Sequence, residues 1–299
     1  MSIFLQGTIA KAAHFAGVGL HSGKLVNLSI HPQAPDTGII FQRTDLLHSI
    51  LIPAHPDQVV STQLCTTLGH GTIQISTVEH LMAALFGLGI DNALVRVDSE
   101  EIPILDGSAA PFVDRISEAG IQVQPAKRRW LYPHESFEVR NGDQFMRIDP
   151  LDAMGRRESE KHPILDLECS IDFPSRAIGK QKVSLRFSEE EFLKLAEART
   201  FCHADSVQAM RKQGLALGGS LDNAVVVNDS TVLNAEGLRS EDEFARHKLL
   251  DAIGDLALLG ARLAGKITIY KGGHSLHVQF VKKAIEHFQQ QNIRVARRG

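Results

Sequence analysis

Cysteine is scarce in this chain. Cys65, Cys169 and Cys202 are the only three among 299 residues. They are far apart, odd in number and form no CxxC pair, which excludes a cysteine-based zinc cluster and fits a reducing compartment. No charge of one sign dominates. Lys+Arg total 32 and Asp+Glu 35, a net charge of -3, so no global positive field points to nucleic acid or anionic lipid. Two local basic clusters, Lys127-Arg128-Arg129 and Arg294, Arg297 and Arg298, read as solvated surface. Long apolar runs are missing as well. The longest stretch without Asp, Glu, Lys or Arg, Gln58 to Val78, is full of Ser, Thr and Gln and cannot be a membrane span. The start, MSIFLQGTIAKAAHFAG, has no basic residues ahead of an apolar core of signal-peptide type. A soluble, cytoplasmic protein is expected. There is no P-loop, no dinucleotide-binding glycine fingerprint, no Gly-x-Ser-x-Gly elbow and no H-E-x-x-H zincin motif.

What is present is ordinary globular composition, 43% hydrophobic and 22% charged. The length suggests two domains or one large one, and it can bury a core without staples. The first third reads as strands and turns. Val26, Leu28 and Ile30 alternate with Asn27 and Ser29, Ile39-Ile40-Phe41 forms a second strand, and Thr66 to Ile75 reads as a hairpin around Gly69-His70-Gly71. Ser76 and Glu79 fit a capping box for an apolar helix ending at Gly87 or Gly89. A strand Ala93 to Val97 and a short helix from about Pro111 to Ala119 follow, with a domain boundary near Pro125-Ala126-Lys127. This gives domains 1–126 and 127–299. Beyond it the pattern predicts strands at Trp130 to Val139, Gln144 to Asp149 and Leu165 to Ile171. A helix capped by Ser188 comes next. Then come a Gly-rich stretch Gly214 to Ser220, a strand Ala224 to Val227, a long helix from about Glu241 to Leu263, a strand Lys266 to Tyr270 and a last helix from about Ser275.

Glu79 to Gly87 can be laid on Arg246 to Gly254, His on His and Gly on Gly seven residues later. Each helix precedes a strand. Two related α+β halves are therefore expected, each a sheet with helices on one face.

The segment from His247 to Asp255 carries the most chemistry. On a helix His247, Asp251 and Asp255 lie at i, i+4 and i+8, along one face, among Leu249, Leu250, Ile253 and Leu256. Two readings stand. The stripe is either exposed to solvent with a weak His–Asp helix pair, or it is buried and needs a cation or hydrogen-bond partners. His80 sits in the first turn of an apolar helix beside Glu79, as a core histidine or as a third ligand, since catalytic zinc commonly takes three protein ligands. His274 follows Lys271-Gly272-Gly273, either as a plain helix-start residue or as an imidazole projecting into a cleft and held charged by Asp255. Ala198-Arg199-Thr200-Phe201 carries no spacing signal.

Taken together, these segments closely resemble the UDP-3-O-acyl-N-acetylglucosamine deacetylases, zinc enzymes of lipid A biosynthesis in Gram-negative bacteria. The resemblance spans nearly the whole chain. It rests on Gly17 to Gly23 (GVGLHSG), Ser76 to Asn92 (STVEHLMAALFGLGIDN), Ile102 to Phe112 (IPILDGSAAPF), Ala198 to Phe201, Leu217 to Ser220 (LGGS), Val232-Leu233-Asn234 and Asp242 to Leu256 (DEFARHKLLDAIGDL). It implies two similar α+β domains, each with an insert, and an active site between them. It implies zinc, with iron(II) as an alternative for a two-histidine, one-carboxylate set, held by His80, His247 and Asp251. Water activated at the metal would be the nucleophile, Glu79 the general base, His274 the general acid and Asp255 the carboxylate orienting it. Thr200 would stabilise the oxyanion, Phe201 would lie beside the substrate, and Lys248 and Lys271 near the UDP-sugar. A monomer without nucleic acid or a transmembrane segment is implied. Two departures stand out. Cys202-His203-Ala204-Asp205-Ser206 replaces a bulky apolar run that borders the acyl passage, and Gly273 stands where relatives often have Ser. The competing readings are another metal-dependent amidohydrolase acting on a soluble amide, and a non-catalytic, metal-stabilised binding protein.

Overall fold

The computed structural model describes residues 3–47, 50–151 and 162–290. Arg294, Arg297 and Arg298 lie outside the described residues. The chain runs through β1 (Leu5–Ile9), β2 (Ala13–Val18), β3 (Leu25–Pro32), β4 (Ile39–Arg43), β5 (Leu51–Pro53), β6 (Val59–Ser61), β7 (Thr67–His70) and β8 (Ile73–Ile75). Then come α1 (Glu79–Gly87), β9 (Ala93–Val97), α2 (Ala110–Ala119) and β10 (Ile121–Lys127). The second half has β11 (Trp130–Leu131), β12 (Phe137–Asn141), β13 (Gln144–Asp149), β14 (Leu165–Asp172) and β15 (Lys180–Arg186), followed by α3 (Glu189–Ala196), β16 (Phe201–His203), α4 (Ala204–Lys212) and β17 (Val225–Val227). It closes with α5 (Glu243–Leu256), β18 (Arg262–Leu263), β19 (Gly265–Tyr270) and α6 (His274–Gln290).

The expected duplication is there in the sheets. One five-stranded sheet has the order β2-β3-β9-β4-β5 and the other β12-β13-β19-β14-β15. In both, the central strand pairs parallel on one side and antiparallel on the other. The strands alternate buried and exposed residues, as in β3 with Val26, Leu28 and Ile30 inward. One face of each sheet therefore has to be covered by helices. The helices α1 and α5, which precede the two central strands, pack on each other between the halves. Their contact is close because Gly254 has no side chain: a Cβ there would lie 2.1 Å from the Glu79 carbonyl oxygen.

Several local expectations are corrected. Ser76 and Glu79 do not form a capping box. The N-cap of α1 is Val78, with no side-chain cap bond. The Ser76 hydroxyl donates to the Glu100 carbonyl, and the Glu79 carboxylate accepts from the Thr66 N–H. The left-handed backbone of Thr77 (φ 60°) turns the chain into the helix instead. The predicted strand Trp130 to Val139 is two strands, interrupted around Pro133. The long helix stops at Leu256, followed by a 3-10 turn Ala257–Leu259 and the left-handed Gly260. The chain can then re-enter as β18, parallel to β11. The final helix starts at His274 rather than Ser275. The basic cluster at 127–129 is not all solvated surface. Arg128 is buried and grips Asp91 through Nε and Nη2. By contrast, Ser188 caps α3 as read, accepting from the Glu191 N–H. No helix of the described residues is long and apolar enough to cross a membrane.

Candidate active site

The site is built where α1 crosses α5. On α5, His247, Asp251 and Asp255 are 2%, 2% and 1% exposed, so the exposed-stripe reading fails. Burying two carboxylates and an imidazole in an apolar helix is costly unless each finds a partner. Each does. The Asp251 Oδ1 atom lies 3.4 Å from His247 Nε2 and 3.6 Å from His80 Nε2. The two imidazoles stand edge to face, 5.0 Å between centroids. One ligand atom from each of the three residues falls within 4.8 Å of the others. Ligands about 2.0–2.2 Å from a tetrahedral zinc are themselves about 3.3–3.6 Å apart, so the measured spacings suit a shared divalent ion.

The protonation pattern suits one too. His247 Nδ1 lies 3.0 Å from the Ala198 carbonyl. A carbonyl can only accept, so Nδ1 carries the proton and Nε2 keeps its lone pair toward Asp251. Burial pulls the His247 pKa down to about 4, which keeps the ring neutral. Burial works against ionised Asp251, but its close contacts, the Lys248 ammonium and the His80 side chain among them, outweigh it and hold its pKa well below the usual range. Lys248 Nζ takes the second oxygen, Oδ2, at 2.9 Å. The cluster thus offers the Nε2 lone pair of His247 and an ionised Asp251 carboxylate, with Oδ1 left for a cation.

Glu79 and His274 flank this cluster. His274 Nε2 is 3.9 Å from Glu79 Oε1, while Glu79 Oε2 is held by the Thr66 N–H at 3.0 Å. Burial pushes the Glu79 pKa up. His274 Nδ1 lies 2.9 Å from Asp255 Oδ2. Burial disfavours its charge, yet the Asp255 and Glu79 carboxylates raise its pKa to about 9. One buried group is thus a carboxylate with raised basicity and the other an imidazolium, the offset pair that acid–base chemistry needs.

A family model for the UDP-3-O-acyl N-acetylglycosamine deacetylases (LpxC) matches residues 6–286. The chain belongs to this family. The UDP-3-O-acyl-N-acetylglucosamine deacetylase of Anaeromyxobacter sp. (strain Fw109-5) is 46% identical over 286 residues, covering 95% of this chain and 90% of the relative. Those of Methylococcus capsulatus (strain ATCC 33009 / NCIMB 11132 / Bath) and Myxococcus xanthus (strain DK1622) are 46% and 44% identical, covering 91% and 95% of this chain and 87% of each relative. It is a metalloenzyme family, and the described residues offer it a ligand cluster at His80, His247 and Asp251.

Of the residues named from sequence, Glu79, His80, His247, Asp251, Asp255 and His274 come together, with Lys248 on Asp251. Phe201 is close by. Its ring lies 6.1 Å from that of His247 and packs on Phe244 and Phe173, and the Lys248 ammonium sits 5.6 Å from its centroid. Thr200 is placed by its backbone, with its N–H on the Gly107 carbonyl and its own carbonyl on the Val225 N–H. Lys271 stands apart from the cluster's charges, with its ammonium 2.8 Å from Asp143 and 3.5 Å from Asp172. The departing segment after Phe201 finishes β16 and starts α4, an amphipathic helix with no buried residue.

Sequence reasoning missed several supports. Thr66 donates its hydroxyl to Asp255 Oδ1 at 2.6 Å. His277, fully buried, places Nδ1 2.9 Å from Asp255 Oδ2. Gly272 makes room for it, since a Cβ there would lie 2.6 Å from His277 Nε2. Arg199 is buried against Glu243, which also accepts from the Arg199 N–H, anchoring the link between α3 and β16 that presents Ala198 and Thr200. The only available signal was the i+3 spacing of His274 and His277 on one helix face. Nothing local marks Thr66 or the Ala198 carbonyl.

Proposed function

We propose that this chain removes the N-acetyl group of UDP-3-O-acyl-N-acetylglucosamine, releasing acetate and the free amine, as an early committed step of lipid A biosynthesis. The reading is carried by a buried carboxylate–imidazole pair, Glu79 and His274, set against a three-ligand cluster in a chain of this family. His80, His247 and Asp251 would hold a divalent cation, zinc by family and iron(II) as the alternative. Bound there, it would supply a Lewis acid for the amide carbonyl and make water more acidic.

The chain's own residues do the rest. Glu79 Oε1 takes the proton of the attacking water, while the Thr66 N–H fixes the other oxygen. The Thr200 hydroxyl stabilises the oxyanion. His274, kept protonated by Asp255, hands a proton from Nε2 to the departing amine. Phe201 offers an apolar wall, and Lys248 and Lys271 supply positive charge for the UDP-sugar. Lys271 exchanges Asp143 for the diphosphate when it does so. The site lies between two domains that we divide at residues 126 and 127. The enzyme acts as a cytoplasmic monomer without nucleic acid. Incubating the protein with UDP-3-O-acyl-N-acetylglucosamine and following the mass of the product tests the reading. One acetyl group is lost, a chelator stops the loss and added zinc restores it. An unchanged substrate with metal-loaded protein refutes it.

A further inference from the structure

The far end of α1 carries an arrangement that deacetylation does not use. Phe86 and Gly87 are seven and eight residues from Glu79, about 10–12 Å along the helix. There a cavity of about 910 Å³ opens, and none of the candidate active-site residues lines it. Lys127, Arg128, Arg129 and Arg262 line it against two carboxylates, Asp36 and Asp91. Neither carboxylate is uncommitted. Asp91 is gripped by Arg128, and Asp36 accepts from the Gln6 amide at 2.7 Å.

Arg262 is the unusual member. It is 5% exposed, and among the described residues it has no ion-pair partner. Its guanidinium stacks on the Phe86 ring, 4.0 Å from the centroid, and one Nη donates to the Phe86 carbonyl at the end of α1. That carbonyl and the helix's negative end offset part of the desolvation. They do not neutralise a full charge, and a guanidinium buried without a carboxylate or phosphate is costly. Burial and the neighbouring charge of Arg128 pull the Arg262 pKa down to about 9, with the Asp91 carboxylate offsetting only part of that pull. The fold nevertheless keeps it there. It holds the residue in register with Trp130 on the β11–β18 pair, with the Arg262 N–H on the Arg129 carbonyl.

We propose that this cavity is a second ligand site, which binds a small phosphorylated anion between Arg262 and the Lys127–Arg129 segment. Four cations against two committed carboxylates suit a dianion. Guanidiniums match phosphate oxygens through paired N–H bonds. The rest of the wall, including Met82, Leu85 and Trp130, is apolar enough to carry an organic group on the phosphate. The site joins β11 and β18 to the end of α1, so an occupant bears on the helix that also carries Glu79 and His80.

Trp130 is the only tryptophan in the chain and lines this cavity, so its fluorescence is a local reporter. The metal-loaded protein is titrated with inorganic phosphate, and separately with vesicles containing phosphatidic acid, to tell a soluble phosphate from a lipid headgroup. A saturable fluorescence change with phosphate is expected. In a Lys127→Ala/Arg129→Ala variant the dissociation constant rises at least about tenfold, and in Arg262→Met saturation is lost. The double variant lies at the cavity edge, so it keeps the test decisive if Arg262→Met does not fold. No saturation with phosphate overturns the proposal, as does an unchanged dissociation constant in the double variant. A response to vesicles alone also overturns the soluble-ligand assignment.

Discussion

Gly254→Ala tests whether the α1–α5 contact sets the catalytic geometry. The added methyl would lie 2.1 Å from the Glu79 carbonyl oxygen, 2.8 Å from its carbonyl carbon and 3.0 Å from its Cα. All three are backbone atoms, so no side chain can swing away. Restoring ordinary contact requires the helices to part by about 1 Å. Overpacking of this kind costs about 1–3 kcal/mol, while alanine's better helix propensity returns about 1 kcal/mol. Net stability therefore falls by roughly 0–2 kcal/mol, or a Tm drop of roughly 0–8 °C. The effect on the site is larger than the effect on the fold. Glu79 and His80 ride on one helix, and His247, Asp251 and Asp255 on the other. A 1 Å misplacement of reacting groups can cost about 10²-fold. The variant should fold, lose about 10²-fold in kcat/KM and bind metal more weakly. Gly273→Ala is the matched control: it adjoins His274, but a Cβ there meets nothing within 4 Å. A Gly254→Ala protein with kcat/KM within about threefold of wild type and unchanged metal affinity would refute the argument.

Glu79→Gln keeps the shape of the side chain but removes the proposed base. Turnover should fall by about 10²–10⁴ with one metal still bound per chain, and near-wild-type turnover would remove Glu79 from that role. His247→Ala should lower metal content measured by elemental analysis, since it deletes one of the three proposed ligands; undiminished stoichiometry would exclude it as one. In metal-free protein, the His274 imidazole should titrate near pH 9 by NMR, above its ordinary 6.5. The folded pKa is raised, so the stability it contributes is full below pH 6.5 and is lost as pH rises through about 9. Asp255→Asn should bring that titration down, and a wild-type value at or below 6.5 would contradict the Asp255 and Glu79 contacts.

Much of the site was legible because its residues share helix faces. His247, Asp251 and Asp255 follow from i, i+4, i+8 spacing. Spacing left open whether that face is exposed or buried, and the His/Gly match suggested only that His80 and His247 lie on related helices; it was the family resemblance that joined them into one site. What was not legible depends on chain segments that meet only in the folded state. Thr66 reaches Asp255 across 189 positions, and the carbonyl that fixes the His247 tautomer belongs to Ala198. The false capping box has the same origin. Ser76-x-x-Glu79 has the right spacing, but tertiary partners took both side chains, Glu100 the hydroxyl and Thr66 the carboxylate. The overlong helix erred for another reason. Apolar periodicity continues through Leu258 and Leu259, which are buried in a 3-10 turn, and hydrophobic pattern alone does not distinguish that turn from a further turn of helix.

The duplication also accounts for the lopsided composition of the site. His80 and His247 occupy the same step of equivalent helices, each with a glycine seven residues later that admits a close neighbour: the Phe192 ring against Gly87 and the Glu79 backbone against Gly254. Four and eight residues after His80, however, stand Ala84 and Leu88, both buried, where α5 has Asp251 and Asp255. Were both helices to carry the pair, four aspartates would join Glu79 at one buried crossing. One divalent ion and the neighbouring Lys248 could not balance them against the cost of desolvation. With the aspartate pair on one helix only, Asp251 stands beside the two imidazoles as the proposed ligand, Asp255 serves His274 and His277, and α1 contributes Glu79 as the carboxylate whose pKa burial raises. The symmetric frame thus supplies the pair of imidazoles, and the loss of symmetry within it separates Asp251, the proposed metal ligand, from Glu79, the proposed base.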